Sequence, residues 1–350
     1  MFSTYKEKDV TLLLTDITGK VSPQSTEERE KLIQSGVHYS EMLPIEYEPT
    51  EKYMELYKIA LDKYSEKTAE AVMAVAEKIW AEKGEDAVLV SLARAGISIG
   101  VLIKRYIAFK YKKDVAHYAV SIIRGKGIDR NAMDYILKKH RPCDIQFVDG
   151  WTGKGAIRNQ LEEAMKEYTD VNPGIAVLSD PAHLSEKCGT HEDFLIASSC
   201  LNSTVSGLIS RTFYKESVIE KDEYHGVCFY KELADKDVTY QFIDLVEKYF
   251  STDFELKYEE IKNKKSSKKE VDDICLKFDI NDINLVKPSI GETTRVLLRR
   301  VPWKILVHSM DDEENLGHIY QLAKEKNVDI EIYPLENYKA CGLIKTMADN

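Results

Sequence analysis

The stretch DIQFVDGWTGKGAI, residues 144–157, decides the fold class. A mostly apolar run reaches Asp149, and a loop of small residues around Lys154 then leads into an amphipathic segment. A strand followed at once by a glycine-rich turn and a helix is the repeating unit of a parallel α/β sheet. Ligands of such sheets bind beyond the carboxyl ends of the strands. The stretch therefore predicts an α/β fold with a ligand site beside Asp149.

Neighbouring segments repeat this unit along the chain. Further strands are predicted for DAVLVSLA (86–93), VAHYAVSII (115–123) and PGIAVLSDP (173–181), with helical patterns between them. We expect a parallel sheet with helices on both faces. Upstream, two amphipathic patterns, at 53–61 and 68–84, predict an N-terminal helical extension ending near Gly84. DVTLLLTDI fits a strand or a short helix equally well.

The chain of 350 residues is long enough for two domains. We predict a main domain over residues 1–255, a charged linker over 256–280 and a small α/β domain over 281–350. KNKKSSKKEVDD, residues 262–273, has no apolar residue before Val271, which is typical of an exposed linker or the end of a helix.

Composition excludes several classes of protein. The formal net charge of −10 argues against one continuous nucleic-acid surface. The 6 Cys form no C-x-x-C pair and no zinc-finger spacing, so free thiols in a reducing compartment and no metal site are expected. Neither a secretory signal nor an apolar run of about 20 residues is present. The sequence thus predicts a cytoplasmic protein with no membrane partner; its oligomeric state stays open.

The loop after Asp149 has the chemistry of a sugar-phosphate site. Backbone N–H groups at a helix N-terminus bind anions, and Gly153 and Gly155 let the chain approach a phosphate closely. Thr152 would add a hydroxyl donor, and Asp149 suits ribose hydroxyls or the water shell of Mg²⁺. Neither a P-loop nor a G-x-G-x-x-G motif is present. The alternative is an ordinary strand-to-helix turn.

These residues resemble the phosphoribosyl-diphosphate (PRPP) loop of type I phosphoribosyltransferases. Asp149 matches the first of the family's paired acids, whereas Gly150 replaces the second. The resemblance implies a site for PRPP or a related ribosyl phosphate with Mg²⁺. Because one acid is missing, it implies phosphate binding more directly than catalytic transfer.

Two more segments extend that resemblance. VSLARAGISIG, residues 90–100, lies where the family has its pyrophosphate loop, which implies roles for Arg94, Ala95 and Gly96. SIIRGKGIDRNAM, residues 121–133, lies where the family has a mobile lid, so Arg124 and Lys126 would close over a diphosphate. The alternative for the second segment is a solvated loop.

A narrower resemblance covers about residues 3–250. YKEKDVTLLL (5–14), GVHYSEMLPIE (36–46) and CLNSTVSGLISRT (200–212) are similar to the StiP cysteine protease family of tellurite-resistance and stress-response gene neighbourhoods. This resemblance implies Cys200 as a nucleophile. A cysteine nucleophile needs a base and a group that orients the base.

The base and its orienting group remain open at this point. His38 and His191 are the candidate bases, of which we favour His38, with Glu41 or Asp193 as the orienting acid. In the alternative, Cys200 is a small buried thiol, and the polar residues Ser206 and Arg211 complete a ligand pocket.

The C-terminal stretch from 287 to 334 resembles a Pelota-type RNA-binding domain. Arg295 and Arg299 are four residues apart and share a helix face, with Arg300 beside them, an arrangement that can hold RNA phosphates. The alternative is a helix face that mediates domain contacts.

Three functions follow. We rank a phosphoribosyltransferase-like protein of nucleotide or nucleoside-type metabolism first, because three loops agree on it in the right order. A cysteine protease and a non-catalytic nucleotide- or RNA-binding protein are the alternatives.

Overall fold

The computed structural model describes residues 2–256 and 266–344. Residues 262–265 of the lysine-rich stretch lie outside this description. Among the described residues, no helix is long and apolar enough to cross a membrane.

The larger unit is built on a parallel sheet, as the sequence predicts. Its strands are β1 (Thr11–Leu12), β3 (Val88–Ala93), β4 (Ala116–Ile123), β6 (Ile145–Val148), β7 (Ile175–Ser179) and β8 (Lys187–Thr190). They lie in the order β1-β4-β3-β6-β7-β8, every adjacent pair is parallel, and β5 (Gly127–Ile128) pairs antiparallel with β4. A separate parallel pair joins β2 (Thr15–Asp16) to β9 (Gly226–Val227). DVTLLLTDI therefore contributes two short strands and no helix.

Helices cover both faces of this sheet. They are α1 (Thr26–Gln34), α2 (Glu51–Lys83), α3 (Ala95–Tyr111), α4 (Arg130–Leu137), α5 (Ala156–Met165) and α6 (Thr239–Glu247). The two amphipathic patterns of the N-terminal extension form one continuous helix, α2. The polar residues between them do not interrupt it. Ser65 and Thr68, the first residue of the second pattern, are buried in the helix, where their hydroxyls are satisfied by carbonyls one turn earlier, at 2.5 and 2.6 Å. Gly84 ends α2 with φ +57°.

The C-terminal unit is a four-stranded sheet with three helices among the described residues. Its elements are α7 (Ser267–Lys277), β10 (Val286–Pro288), α8 (Ile290–Arg299), β11 (Pro302–Val307), α9 (Glu313–Glu325), β12 (Asp329–Ile332) and β13 (Ala340–Ile344). The strand order is β10-β13-β11-β12, with β13 antiparallel to both neighbours and β11 parallel to β12.

Helix α7 lies inside the range 256–280, for which the sequence predicts a linker. Val271 and Ile274 pack with Val286 and Leu306 in the core of the C-terminal unit. Buried Glu270 accepts hydrogen bonds from the backbone N–H groups of residues 336 and 337, at 2.8 and 3.1 Å. The lysines dominate the local sequence, whereas these few residues on one face fix the helix.

One apolar core joins the two units. Ile290, Leu297 and Leu298 of α8 belong to the same buried cluster as Leu61 and Val75 of α2. The C-terminal unit is therefore packed against the α2 side of the larger unit.

Candidate functional site

A cleft of about 460 Å³ lies between the carboxyl ends of the sheet strands and the C-terminal unit. Its lining includes Arg94, Ala95, Arg124, Asp149, Trp151, Lys154, Glu292 and Arg295. Parallel strands bring these loops to one edge although they are far apart in the sequence. Charged groups of both signs thus converge on one cavity.

The turn from β3 into α3 forms one wall. Arg94 and Ala95 line the cleft, and the Arg94 guanidinium donates to the Ile209 carbonyl at 2.8 Å. Gly96 lies behind them, where a Cβ atom would come within 2.5 Å of the Val148 carbonyl oxygen. Glycine at this position lets α3 begin directly against the end of β6.

Asp149 is the acid at the end of β6, as the sequence predicts. The Gly150 N–H donates to its carboxylate at 2.8 Å. Burial raises the pKa of this carboxyl to about 7, and Glu292 acts in the same direction, while Arg295 opposes them. Asp149 therefore changes its charge near neutral pH.

The loop after Asp149 leads into α5 through Gly155, which has φ +82°. Two of its predicted phosphate donors already have partners. The Thr152 hydroxyl donates to the Asp180 carboxylate. Lys154 donates to the carbonyls of Ile283 and Val286, the latter at 3.0 Å, and burial lowers its pKa to about 8. The sequence could not reveal these partners, because they are distant along the chain. Asp180 follows the next strand, and the carbonyls that Lys154 contacts belong to the C-terminal unit.

The two cations of the predicted lid, Arg124 and Lys126, contact different parts of the protein. Arg124 lines the cleft and donates to the Asn284 side chain at 2.8 Å. Lys126 pairs with Glu41 at 3.1 Å, which directs its charge to the segment around His38.

Cys200 and His38 do not form a pair. Cys200 is 0% exposed, and burial raises the pKa of its thiol to about 12. His38 hydrogen-bonds the Ser40 hydroxyl at 2.9 Å and contacts the Tyr39 ring, 4.6 Å between centroids. Neither side chain hydrogen-bonds the other within the described residues. This arrangement does not support the catalytic pair favoured from the sequence.

The acids considered as orienting groups have other partners. Asp193 accepts hydrogen bonds from the backbone N–H groups of Ile290 and Lys339, each at 2.9 Å, and so joins the two units. Of the alternative pocket residues, Ser206 lines the cleft. Arg211 instead donates to the carbonyls of residues 39 and 42, at 2.7 and 2.8 Å.

A second cysteine does meet a histidine. Cys188 Sγ lies 3.5 Å from His191 Nε2 and 3.7 Å from Nδ1, and Nδ1 also lies 2.8 Å from the Asp180 carbonyl oxygen. A carboxylate oxygen of Asp180, the Cys188 thiol and a His191 ring nitrogen lie within 4.8 Å of one another. Asp180 follows β7, Cys188 lies in β8 and His191 follows β8, so two adjacent parallel strands place these groups, and His183 stacks on His191 at 3.8 Å. In the sequence, the only local signal for this contact is the spacing of three residues between Cys188 and His191.

The three arginines expected to bind RNA do not form one surface. Arg295 pairs with Glu292 at 3.2 Å and faces the cleft. Arg299 donates to the Cys200 carbonyl at 2.6 Å and to the Asn202 side chain. Arg300 alone of the three is exposed. The domain-contact alternative therefore describes Arg299.

Fold and site together define a two-unit α/β protein with a charged cleft between its units and a Cys–His pair beside the sheet. Residues 3–247 match the family model described as tellurite-like stress resistance cysteine protease StiP, and residues 265–346 match the PELOTA RNA binding domain. The chain belongs to the StiP family. It is 35% identical to the cysteine protease StiP of Acinetobacter baylyi, over 98% of this chain and 94% of that protein.

Solved structures show a weaker likeness. A hypoxanthine-guanine phosphoribosyltransferase of Bacillus anthracis is 18% identical, with a TM-score of 0.28 over 36% of this chain and 76% of its own. A xanthine-guanine-hypoxanthine phosphoribosyltransferase of Helicobacter pylori is 16% identical, with a TM-score of 0.23 over 33% and 72%. At these scores the likeness carries no functional argument.

Proposed function

We propose that the protein is a cysteine peptidase in which Cys188 is the nucleophile and His191 its base. The relative's name supports the reaction class. The observation that carries the choice of residues is the 3.5 Å contact between Cys188 Sγ and His191 Nε2. This choice replaces Cys200. Both thiols are buried, but Cys188 is 6% exposed and has a histidine ring within reach, whereas Cys200 is 0% exposed and its thiol has a raised pKa, which keeps it from forming the reactive thiolate.

The partner of the other ring nitrogen fixes the tautomer. A carbonyl oxygen only accepts hydrogen bonds, so His191 Nδ1 carries the proton that it shares with Asp180. Nε2 then carries a lone pair, which can accept the proton of the Cys188 thiol 3.5 Å away. The carboxylate of Asp180 lies within 4.8 Å and stabilises the imidazolium that results.

The reaction follows from this arrangement. The Cys188 thiolate forms a bond to the scissile carbonyl carbon, and His191 returns its proton to the leaving amine as the C–N bond breaks. Water then attacks the thioester, giving a proton to His191, and the carboxylate product leaves as the thiol reforms.

The test is hydrolysis of fluorescently labelled casein by the full-length protein and two matched variants. We expect Cys188→Ala to reduce the rate to background, a loss of at least about 10³-fold. Cys200→Ala should keep most of the activity at temperatures where circular dichroism shows it folded. The reverse pattern would return the nucleophile to Cys200.

We propose ribosyl-phosphate binding in the cleft as a second function. The supporting observation is that Arg94, Arg124, Asp149 and Lys154, predicted from three separate loops, line the same cavity. Mg²⁺ prefers carboxylate and phosphate oxygens, and Asp149 with Glu292 supplies carboxylates of the right type. When bound, the ion would neutralise phosphate charge.

Calorimetric titration with PRPP and Mg²⁺ tests this second function. At pH 8, where Asp149 is mostly ionised, Asp149→Asn should weaken binding about tenfold or more, since a charged hydrogen-bond acceptor is lost. Asp144→Asn is the matched control, because Asp144 precedes β6 at the opposite end of the same strand and pairs with Arg141. Absence of heat with the wild-type protein would remove this function and leave the peptidase proposal unaffected.

A further inference from the structure

Glu292 is a half-buried anion in the wall of the cleft. It lies in the first turn of α8, where its N–H donates to the Ser289 hydroxyl at 3.3 Å. Arg295 and Lys287, together with the Trp151 side chain, hold its pKa below the usual range in spite of partial burial. The carboxylate is therefore kept charged while it faces a cavity.

The C-terminal unit is fixed over the loop that follows Asp149. The Tyr338 hydroxyl donates to the Gly153 carbonyl at 3.0 Å, and Lys154 donates to the Val286 carbonyl at the same distance. A Cβ atom built on Gly153 would lie 3.9 Å from Glu292 Cγ. Glu292 thus lies over the loop after Asp149. This is the loop in which Gly150 replaces the second acid of the phosphoribosyltransferase pattern.

An unpaired hydroxyl lies in the same wall. Ser199 is 2% exposed and lines the cleft. Its side chain lies beside the Cys200 thiol, but no hydrogen bond of ordinary geometry joins its Oγ to any described residue. The Cβ position built on Gly291, next to Glu292, lies 3.6 Å from this Oγ. Buried polar groups are nearly always hydrogen-bonded, so a lone hydroxyl in a cavity wall indicates a ligand that completes it.

The sign of the lining charges indicates the ligand class. Arg94, Arg124 and Arg295 attract phosphate, whereas carboxylates repel it. Carboxylates accept hydrogen bonds from hydroxyl groups, as acids at nucleotide sites do with ribose. A cleft with cations and with Asp149 and Glu292 therefore fits a ligand that carries both phosphate and neighbouring hydroxyls.

We propose that Glu292 of the C-terminal unit is the second ligand-holding carboxylate of the cleft, and that Asp149 and Glu292 together accept the hydroxyl groups of a phosphorylated ribose. This inference rests on the second function proposed above. It makes the C-terminal unit part of the sugar-phosphate site and gives each unit one of the two acids.

The test compares ribose 5-phosphate with its 2,3-dideoxy analogue by calorimetry at pH 8, with the full-length protein. The wild type should bind ribose 5-phosphate about tenfold or more tightly than the analogue, because hydrogen bonds to charged acceptors are lost with the hydroxyls. Glu292→Gln should weaken ribose 5-phosphate about tenfold and leave the analogue unchanged. Glu331→Gln is the matched control, because Glu331 also pairs with two cations of the C-terminal unit, Lys277 and Lys304, away from the cleft.

Each failure has a distinct pattern. If the wild type binds neither compound, the second proposed function fails and this inference fails with it. If the wild type prefers ribose 5-phosphate and Glu292→Gln keeps that preference, only this inference is overturned. Equal weakening of both compounds in Glu292→Gln would assign Glu292 a purely structural role and would also overturn it.

Discussion

Alkylation of the native protein by iodoacetamide at pH 7.5 separates the two candidate nucleophiles. Burial raises the pKa of Cys200 to about 12, whereas an ordinary thiol has a pKa of about 8.5. At this pH its thiolate fraction is then lower by about 3.5 powers of ten. The higher intrinsic nucleophilicity of a more basic thiolate recovers about 1.5 of these powers. We expect Cys200 to react about a hundredfold more slowly than an ordinary thiol, and more slowly still because it is fully buried.

The assay follows alkylation of each cysteine-containing peptide over time by mass spectrometry. Cys143 is exposed and serves as the internal standard within the same sample. Cys188 should react faster than Cys200, because His191 can take its proton. Alkylation of Cys200 at the rate of Cys143 would refute the argument from burial and would restore Cys200 as the nucleophile.

Three further predictions concern stability and RNA. Gly100→Ala should lower the free energy of unfolding by about 1–3 kcal/mol in urea titrations, because the added Cβ overlaps the Ser91 hydroxyl; unchanged stability would contradict the packing. Burial raises the pKa of Asp193 to about 6, so this group binds more protons folded than unfolded and its contribution to stability falls as pH rises from about 4 to 6. Wild type should therefore lose about 1 kcal/mol between pH 5 and pH 7 relative to Asp193→Asn in paired urea titrations, and equal pH slopes would disprove this. Arg300→Ala should weaken the binding of single-stranded RNA, measured by fluorescence anisotropy, more than Arg299→Ala does, because of the two only Arg300 is exposed. It should also reduce the salt dependence of binding more. Equal effects of the two variants would contradict the domain contact of Arg299.

Local patterns were sufficient for the four central strands of the sheet, β3, β4, β6 and β7, but not for its short strands β1, β5 and β8. The apolar runs ending at Ala93 and Val148, each followed by small residues, predict strands that the structure contains. The sequence did not show that α2 is continuous, because polar residues such as Ser65 and Thr68 are also common in loops between helices. In the structure both hydroxyls donate to carbonyls of the preceding turn. Likewise the lysines near 268 concealed the buried face of α7.

The candidate site was predicted in part. Asp149, Arg94 and Arg124 reach the cleft because parallel strands bring their loops to one edge. The pairing of Cys200 with His38 remained a prediction without a supporting contact, since burial and the partners of a histidine depend on elements distant in sequence. Cys188 and His191 are only three residues apart in the sequence, but the distance between their side chains depends on how the chain turns after β8.

The sequence by itself determined the α/β class, the position of Asp149 at the end of a strand, and the presence of a separate C-terminal unit. These features follow from periodicity and from residues within a few positions of one another. Tertiary structure alone decided that Lys154 bonds Val286, that Arg299 bonds Cys200, and that Glu292 faces the cleft. These contacts join residues about a hundred or more positions apart, and the burial that sets their charges exists only once the two units have packed together.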